Sequence, residues 1–413
     1  MRKDILVCAI AGFNTALSFT LVSSFLPIYL DSLGISLTSI GIIFAFGAML
    51  AGVLRFPIGT IADKVGRRPL MLFGAIGYPL FAIGAVMSHQ TTHFISLKLL
   101  IEGFGALFWT AFWAYIYDVI RRGHEGRDIA YTRIFLGASG AIAPFMGGMI
   151  IAYYGFNHLF YLAAVIGLIN IVFVGLIIHD RTASKHETVK QFKKDVIKEY
   201  KHIINIRKFR IYLAIAVLHN ITWAIWWVYM PIYLINEGVT IQQVGMIISV
   251  LYITYILTSY PLGKLIDIVP SKYLIIPGFL LVWLSGYIFL YAKELVFLAI
   301  SRASMGFGFD LRWQPLTARL SHLTPKSEHG GTVGLFRAVN AMAVGITTVI
   351  AGYLCELYTI KTVLFGASTF SLFVAIMLMF VNSGIKEKGS ILHNKHHVMH
   401  LHSRAHNETR MHG

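Results

Sequence analysis

Twelve runs of roughly twenty apolar residues follow one another along this chain, at about 5–30, 39–60, 69–88, 93–117, 130–152, 157–179, 211–235, 240–262, 273–292, 295–317, 331–354 and 359–382. Each is long enough to cross a hydrocarbon core as a helix. In lipid a segment must satisfy its own backbone N–H and C=O groups, so the spacing predicts an all-α membrane protein of twelve transmembrane helices. With 56% hydrophobic and only 13% charged residues, the chain falls well outside the composition of soluble globules, in which about a quarter of residues are charged. The first run follows Arg2-Lys3 and continues to about Leu30, so it reads as a retained first helix rather than a cleaved leader.

A formal net charge of +16 raises the question of an acidic partner such as nucleic acid. The positions of the cations answer it. Twenty-seven of the 35 Lys and Arg fall in the two termini and the even-numbered loops, and only Lys293 and Lys361 lie in the odd-numbered ones. That alternation is the positive-inside pattern, which predicts a multi-pass protein of the cell membrane with both termini cytoplasmic and excludes nucleic-acid binding. Cys8 and Cys355 are placed near opposite membrane faces, and no disulfide is expected.

The largest polar interruption, Asp180 to Arg210, divides six segments from six. The expected organisation is a six-helix unit at 1–180, a basic linker at 181–210, a second six-helix unit at 211–383 and a tail at 384–413. Within the linker Val189, Phe192, Val196, Tyr200 and Ile203 recur at helical spacing among lysines, which predicts an amphipathic helix on the anionic inner leaflet. In the tail, His393, His396, His397, His400, His402, His406 and His412 fall within twenty residues. Such a tract can take up Zn, Ni or Cu, with a disordered tail of no essential function as the plainer expectation; no resident metal or cofactor is expected.

The two units are copies. A shift of 204 residues aligns Pro27-Ile28-Tyr29-Leu30 with Pro231-Ile232-Tyr233-Leu234, then Gly34 with Gly238, Gly41 with Gly245, Pro57 with Pro261, Gly59 with Gly263 and Asp63 with Asp267, without a gap. Gly126, Arg133 and Gly148 match Gly330, Arg337 and Gly352 at the same shift. Six is even, so both copies enter the membrane from one side and form a parallel repeat of two six-helix bundles.

Between the second and third segments lies Gly59-x-x-x-Asp63-x-x-Gly66-Arg67-Arg68, read as a basic turn, with Gly263-Lys264-Leu265-Ile266-Asp267 as its worn copy. With the duplication, this motif resembles the loop signature of the major facilitator superfamily of secondary transporters, and the resemblance covers 5–382. It implies two bundles working by alternating access around a midplane site. It also implies a conformational latch at Gly59, Asp63, Gly66, Arg67 and Arg68, with Asp267 as the second-half counterpart. Asp118, Arg133 and Arg337 are assigned to the adjoining gate. The fifth segment carries Ala143-Pro144-x-x-Gly147-Gly148, similar to the Gly-Pro-x-x-Gly-Gly signature of the drug:proton antiporters. The family's fourth-segment Arg is replaced by Leu99, whereas Arg302 and Gly306 keep that spacing in the tenth.

Ionisable groups inside a bilayer are costly, so each marks a functional position. In the fourth segment Lys98, Glu102, Trp109 and Trp113 fall within about 60° of one another at 100° per residue, one face with an ion pair and two aromatic platforms. The tenth holds Arg302, Asp310, Arg312, Trp313 and Gln314, and Arg312 is expected to serve a helix–helix salt bridge or the inner rim. His219, Trp223, Trp226 and Trp227 form a stripe on the seventh, with Asn220 at its edge, and Asn14 lies at mid-depth of the first. Glu102 and Asp310 are the expected proton carriers, since a partly desolvated carboxylate has a raised pKa that substrate or a neighbouring cation can lower again. Asn14, Lys98, Trp109, Trp113, His219, Asn220, Trp223, Trp227, Arg302 and Trp313 are the expected substrate-cavity residues.

The chain contains no phosphate-cradling Gly-x-x-x-x-Gly-Lys-Ser/Thr run, so ATP is not expected to drive it. The reading is a monomeric, non-enzymatic transporter whose partners are a small-molecule substrate, protons and the bilayer. Its expected work is proton-coupled efflux of small amphipathic organic solutes, drug-like or sugar-like. Uptake of an anionic or sugar solute is the alternative, and a non-transporting sensor using the histidine tail is a further one.

Overall fold

A computed structural model describes residues 3–119, 125–177, 202–320 and 329–380. The basic linker helix and the histidine tail lie outside these residues, apart from the linker's last few positions. The first half comprises α1 (Lys3–Ser23), α2 (Leu26–Ser32), α3 (Leu37–Val65), α4 (Arg67–Met87), α5 (Thr91–Val119), α6 (Glu125–Tyr154) and α7 (Phe156–Ile177). The second comprises α8 (Arg207–Asn236), α9 (Ile241–Ile268), α10 (Ser271–Tyr291), α11 (Leu295–Leu320), α12 (His329–Leu357) and α13 (Ile360–Phe380). Among the described residues there are no strands.

These helices reproduce the twelve apolar runs, with two local differences. The first run is split: Ser24 and Phe25 interrupt it, and Pro27, which has no N–H to donate, stands in the first turn of α2. Its repeat mate Pro231 sits inside an unbroken α8. The second difference concerns Gly59 to Arg68, which is not a turn. Helix α3 continues to Val65, Gly66 alone is non-helical at φ 97°, and α4 starts at Arg67. A left-handed backbone at one residue reverses the chain without a loop, and only glycine adopts it freely.

Among the described residues, eleven helical spans are long and apolar enough to cross a membrane. The exception among the long helices is α11, where Arg302, Asp310 and Arg312 fall within eleven residues. Its ionisable residues are mostly buried from lipid: Arg302 and Arg312 are 1% and 0% exposed. The outward faces are apolar, as on α7, where Leu168, Val172 and Leu176 form an exposed stripe at i, i+4 and i+8. An apolar exterior over buried polar groups is the arrangement a bilayer demands.

The halves meet mainly through α3 against α12 and α6 against α9. The repeat explains why there are two such crossings. A Cβ at Gly41 would strike the Thr348 carbonyl, and one at its mate Gly245 would strike the carbonyl of Pro144, the mate of Thr348. Likewise Gly352 faces the Leu37 carbonyl, and its mate Gly148 would place a Cβ 2.8 Å from the Ile241 carbonyl. Four glycines thus let helix backbones touch across the interface, as small residues do in membranes. All four lie toward the end marked by Gly34 and Gly238, which is therefore the tightly closed end. Tyr229 reinforces it, donating its hydroxyl to Thr348 O at 2.7 Å and Leu37 O at 3.3 Å.

Candidate functional site

Among the described residues, two cavities between the halves share one wall residue, Trp223. The larger, about 480 Å³, belongs mostly to the second half and is lined by Arg133, His219, Asn220, Asp310, Trp313 and Gln314 among others. The smaller, about 300 Å³, is lined from the first half by Phe19, Phe44, Lys98 and Glu102 and from the second by Trp223, Trp227, Ala341 and Thr348. Residues Gln314 and Thr317, near the end of α11, and Arg133, near the start of α6, place the larger cavity toward the Gly66 end.

In the smaller cavity the Lys98 ammonium donates to Glu102 at 2.6 Å, one turn along α5. The same ammonium lies 5.1 Å from the Phe44 ring centre and 5.5 Å from that of Phe19. Gly47 makes room for the pair, since a Cβ there would fall 2.7 Å from Lys98 Cγ and 3.0 Å from Glu102 Cγ. Opposite them the Trp223 and Trp227 rings stack at 5.4 Å and 9°. This wall is flat, apolar and wide enough for a planar organic group, with a neutralised ion pair facing it.

In the larger cavity Asp310 is 9% exposed and accepts a hydrogen bond from the Thr258 hydroxyl at 2.7 Å. Among the described residues no cation stands within ion-pair distance of it, although Arg133 lines the same cavity. His219 stacks on Trp313 at 5.2 Å and meets Phe309 edge-on at 5.7 Å, and its Nδ1 has no hydrogen-bond partner. Asn220 donates to Asn340 Oδ1 at 2.5 Å and to Ala216 O at 2.9 Å, and Asn340 donates in turn to Phe336 O. The cavity therefore presents one unpaired carboxyl, aromatic faces and fixed amides.

Several positions differ from expectation. Trp109 and Trp113 line neither cavity; they pack edge-on against Phe112 along α5, because sharing an angular face does not place residues at one depth. Trp226 turns away from its stripe and meets Phe289 edge-on. Asn14 is half-buried on α1, outside both linings. Arg302 enters a small separate recess rather than either cavity. Among the described residues Arg312 makes no salt bridge: its guanidinium lies 4.3 Å from the Phe279 ring and 4.8 Å from that of Phe309, with all three nitrogens unpartnered. Thr258, Asn340 and Tyr255 were not anticipated; the helical spacing of Thr254 and Thr258 with adjacent Ser259 was the signal available.

At the Gly66 end Arg67 pairs with Asp118 at 3.2 Å, and Arg68 donates to the Gly175 carbonyl, tying the start of α4 to α5 and α7. Arg133, assigned above to the gate, lines the larger cavity, and Arg337 is exposed. The backbones of Gly59, Asp63 and Asp267 are helical; the side chains of Asp63 and Asp267 lie outside the described set.

Two repeated six-helix halves closed on each other at one end, with polar cavities at the seam, define a membrane transporter of small molecules. The chain belongs to the Major Facilitator Superfamily, whose profile matches residues 8–239 and 212–398. It is 23% identical over 380 residues to an uncharacterized MFS-type transporter of Methanocaldococcus jannaschii, covering 91% of this chain and 97% of that one. It is 24% identical over 404 residues to a multi-drug resistance efflux pump PmrA homolog of Lactococcus lactis, covering 92% and 95%. In fold it resembles a point mutant of the nucleoside transporter NupG, with a TM-score of 0.81 at 14% identity over 92% of this chain and 100% of that one.

Proposed function

We propose that this chain exports small amphipathic organic solutes in exchange for protons, by alternating exposure of the cavities between the halves. The observation that carries the reading is Asp310: a buried carboxyl on a cavity wall, held by Thr258 and beside aromatic faces, with no paired cation among the described residues. A carboxyl so placed can bind a proton or attract a cationic solute, and it cannot do both at once, which is the minimum requirement for exchange. The stacked Trp223 and Trp227 supply a surface for the apolar body of the solute. The relative named as a multi-drug resistance efflux pump supports the direction. The tight packing at the Gly34 end supports a state open toward the Gly66 end, the end that the cation distribution predicts to be cytoplasmic.

Arg133 in the same cavity favours a second reading, uptake of an anionic solute. Proteoliposomes with an imposed pH gradient decide between them. Export predicts that a cationic or neutral planar dye moves against the proton flux and that Asp310→Asn uncouples it. Dye movement with the same gradient dependence in Asp310→Asn would sink the exchange mechanism, and proton-dependent accumulation of anionic solutes alone would establish uptake.

A further inference from the structure

On the closed side of the two cavities, toward the Gly34 end, is a recess of about 10 Å³ lined by Ser23, Ser24, Trp227, Met230, Pro231, Ile248 and Arg302. A recess of this size holds one water molecule or one small ion and excludes a larger solute. Its walls come from both halves: the serines end α1, and Arg302 projects from α11. Arg302 is 1% exposed, its Nε has no hydrogen-bond partner, and the contact found for its Nη1 is the weak acceptor Met305 Sδ at 3.5 Å. Among the described residues no carboxylate pairs with it. Across the recess the Ser24 hydroxyl, 4% exposed, is also unpartnered. That hydroxyl is available because the first span breaks at Ser24-Phe25, whereas the matching stretch of α8 continues unbroken.

A buried guanidinium without a counter-charge is among the costliest arrangements in a membrane protein, and a nearby hydroxyl that lacks an acceptor adds a second donor. We infer that Arg302 and Ser24 form a site for one small monovalent anion of chloride size, which bridges the two halves. A site of this size excludes the substrate itself. Because its donors come from opposite halves, an anion bound there favours closure at the Gly34 end, and separation of the halves opens the site. Arg312, whose guanidinium lies against the Phe279 and Phe309 rings and lines none of the cavities described above, provides the internal control.

The test uses the full-length chain in nanodiscs, comparing chloride and bromide with gluconate at equal ionic strength. Chloride and bromide are expected to raise the unfolding temperature by a few degrees. The increase should vanish in Arg302→Gln, require several-fold more halide in Ser24→Ala, and persist in Arg312→Gln. Should Arg302→Gln fail to fold, bromide quenching of tryptophan fluorescence in Ser24→Ala carries the test, since Trp227 lines the recess. Equal stability in all three anions would mean that the recess holds only water and would overturn the site. So would a halide response in Ser24→Ala indistinguishable from that of the unmodified chain, or one lost in Arg312→Gln but kept in Arg302→Gln.

Discussion

On α5, in the first half, Lys98 and Glu102 neutralise each other at 2.6 Å; on α11, the corresponding helix of the second half, Arg302, Asp310 and Arg312 have no ion-pair partner among the described residues. The repeat has therefore preserved the backbone and divided the electrostatics. A pair that cancels its own charge is satisfied in any arrangement of the halves. Groups that lack compensation respond to whatever supplies it, whether proton, ion or solute. On the proposed mechanism, the first half is the steadier wall of the cavities and the second is the half whose charge state changes during transport. The closed end shows the reverse, since there the two crossings use equivalent glycines and equivalent carbonyls.

The largest expected effect falls on Asp310. Asp310→Asn should lower flux driven by a pH gradient by at least about tenfold, measured in proteoliposomes, because it removes the buried carboxyl proposed to carry the proton. The paired substitution Lys98→Met with Glu102→Leu should retain most of that flux. Equal losses would dissolve the distinction between the halves. Breaking the first-half pair alone is a different matter. Glu102→Leu leaves Lys98, 4% exposed, without its partner, and should destabilise the protein by about 2–4 kcal/mol in chemical denaturation, with the paired substitution recovering most of it.

The symmetry of the closed end is tested by Gly41→Val and Gly245→Val. Each side chain meets a carbonyl of the opposite half, so each should cost about 1–3 kcal/mol of overpacking, and the two costs should agree. A large effect at one glycine only would show that one crossing dominates closure. The smallest effect is expected where the crossings differ. Glu356 accepts from Thr38 N at 2.9 Å and Thr38 Oγ1 at 2.7 Å at the start of α3, while its repeat mate is Ala152. Glu356→Gln should cost about 0.5–1 kcal/mol, the scale of one helix-terminal contact, and a Thr38→Val double-mutant cycle should recover the hydroxyl's share of it as coupling.

Much of the architecture was legible from residues alone. The twelve apolar runs, the duplication and the Lys98–Glu102 pair all appear where periodicity and spacing place them. The repeat even matched Gly41 with Gly245 and Gly148 with Gly352, without showing that these pairs touch the opposite half. Less of the site was legible. Trp109 and Trp113 share an angular face with Glu102 yet line neither cavity, and Arg312 finds aromatic rings where an acid was expected. Thr258 and Asn340, ordinary polar residues on apolar helices, turned out to hold Asp310 and Asn220.

The sequence by itself determined which stretches are helices, how many cross the membrane, which way the two copies run and which side chains are too polar to face lipid. Those properties follow from local backbone satisfaction and from transfer into hydrocarbon, and both are settled segment by segment. Only the tertiary structure decided which polar groups meet. Angle around a helix fixes a direction, whereas contact also depends on depth and on the neighbour across the gap. That is why Asp310 has no ion-pair partner among the described residues while Lys98, on the corresponding helix, has one.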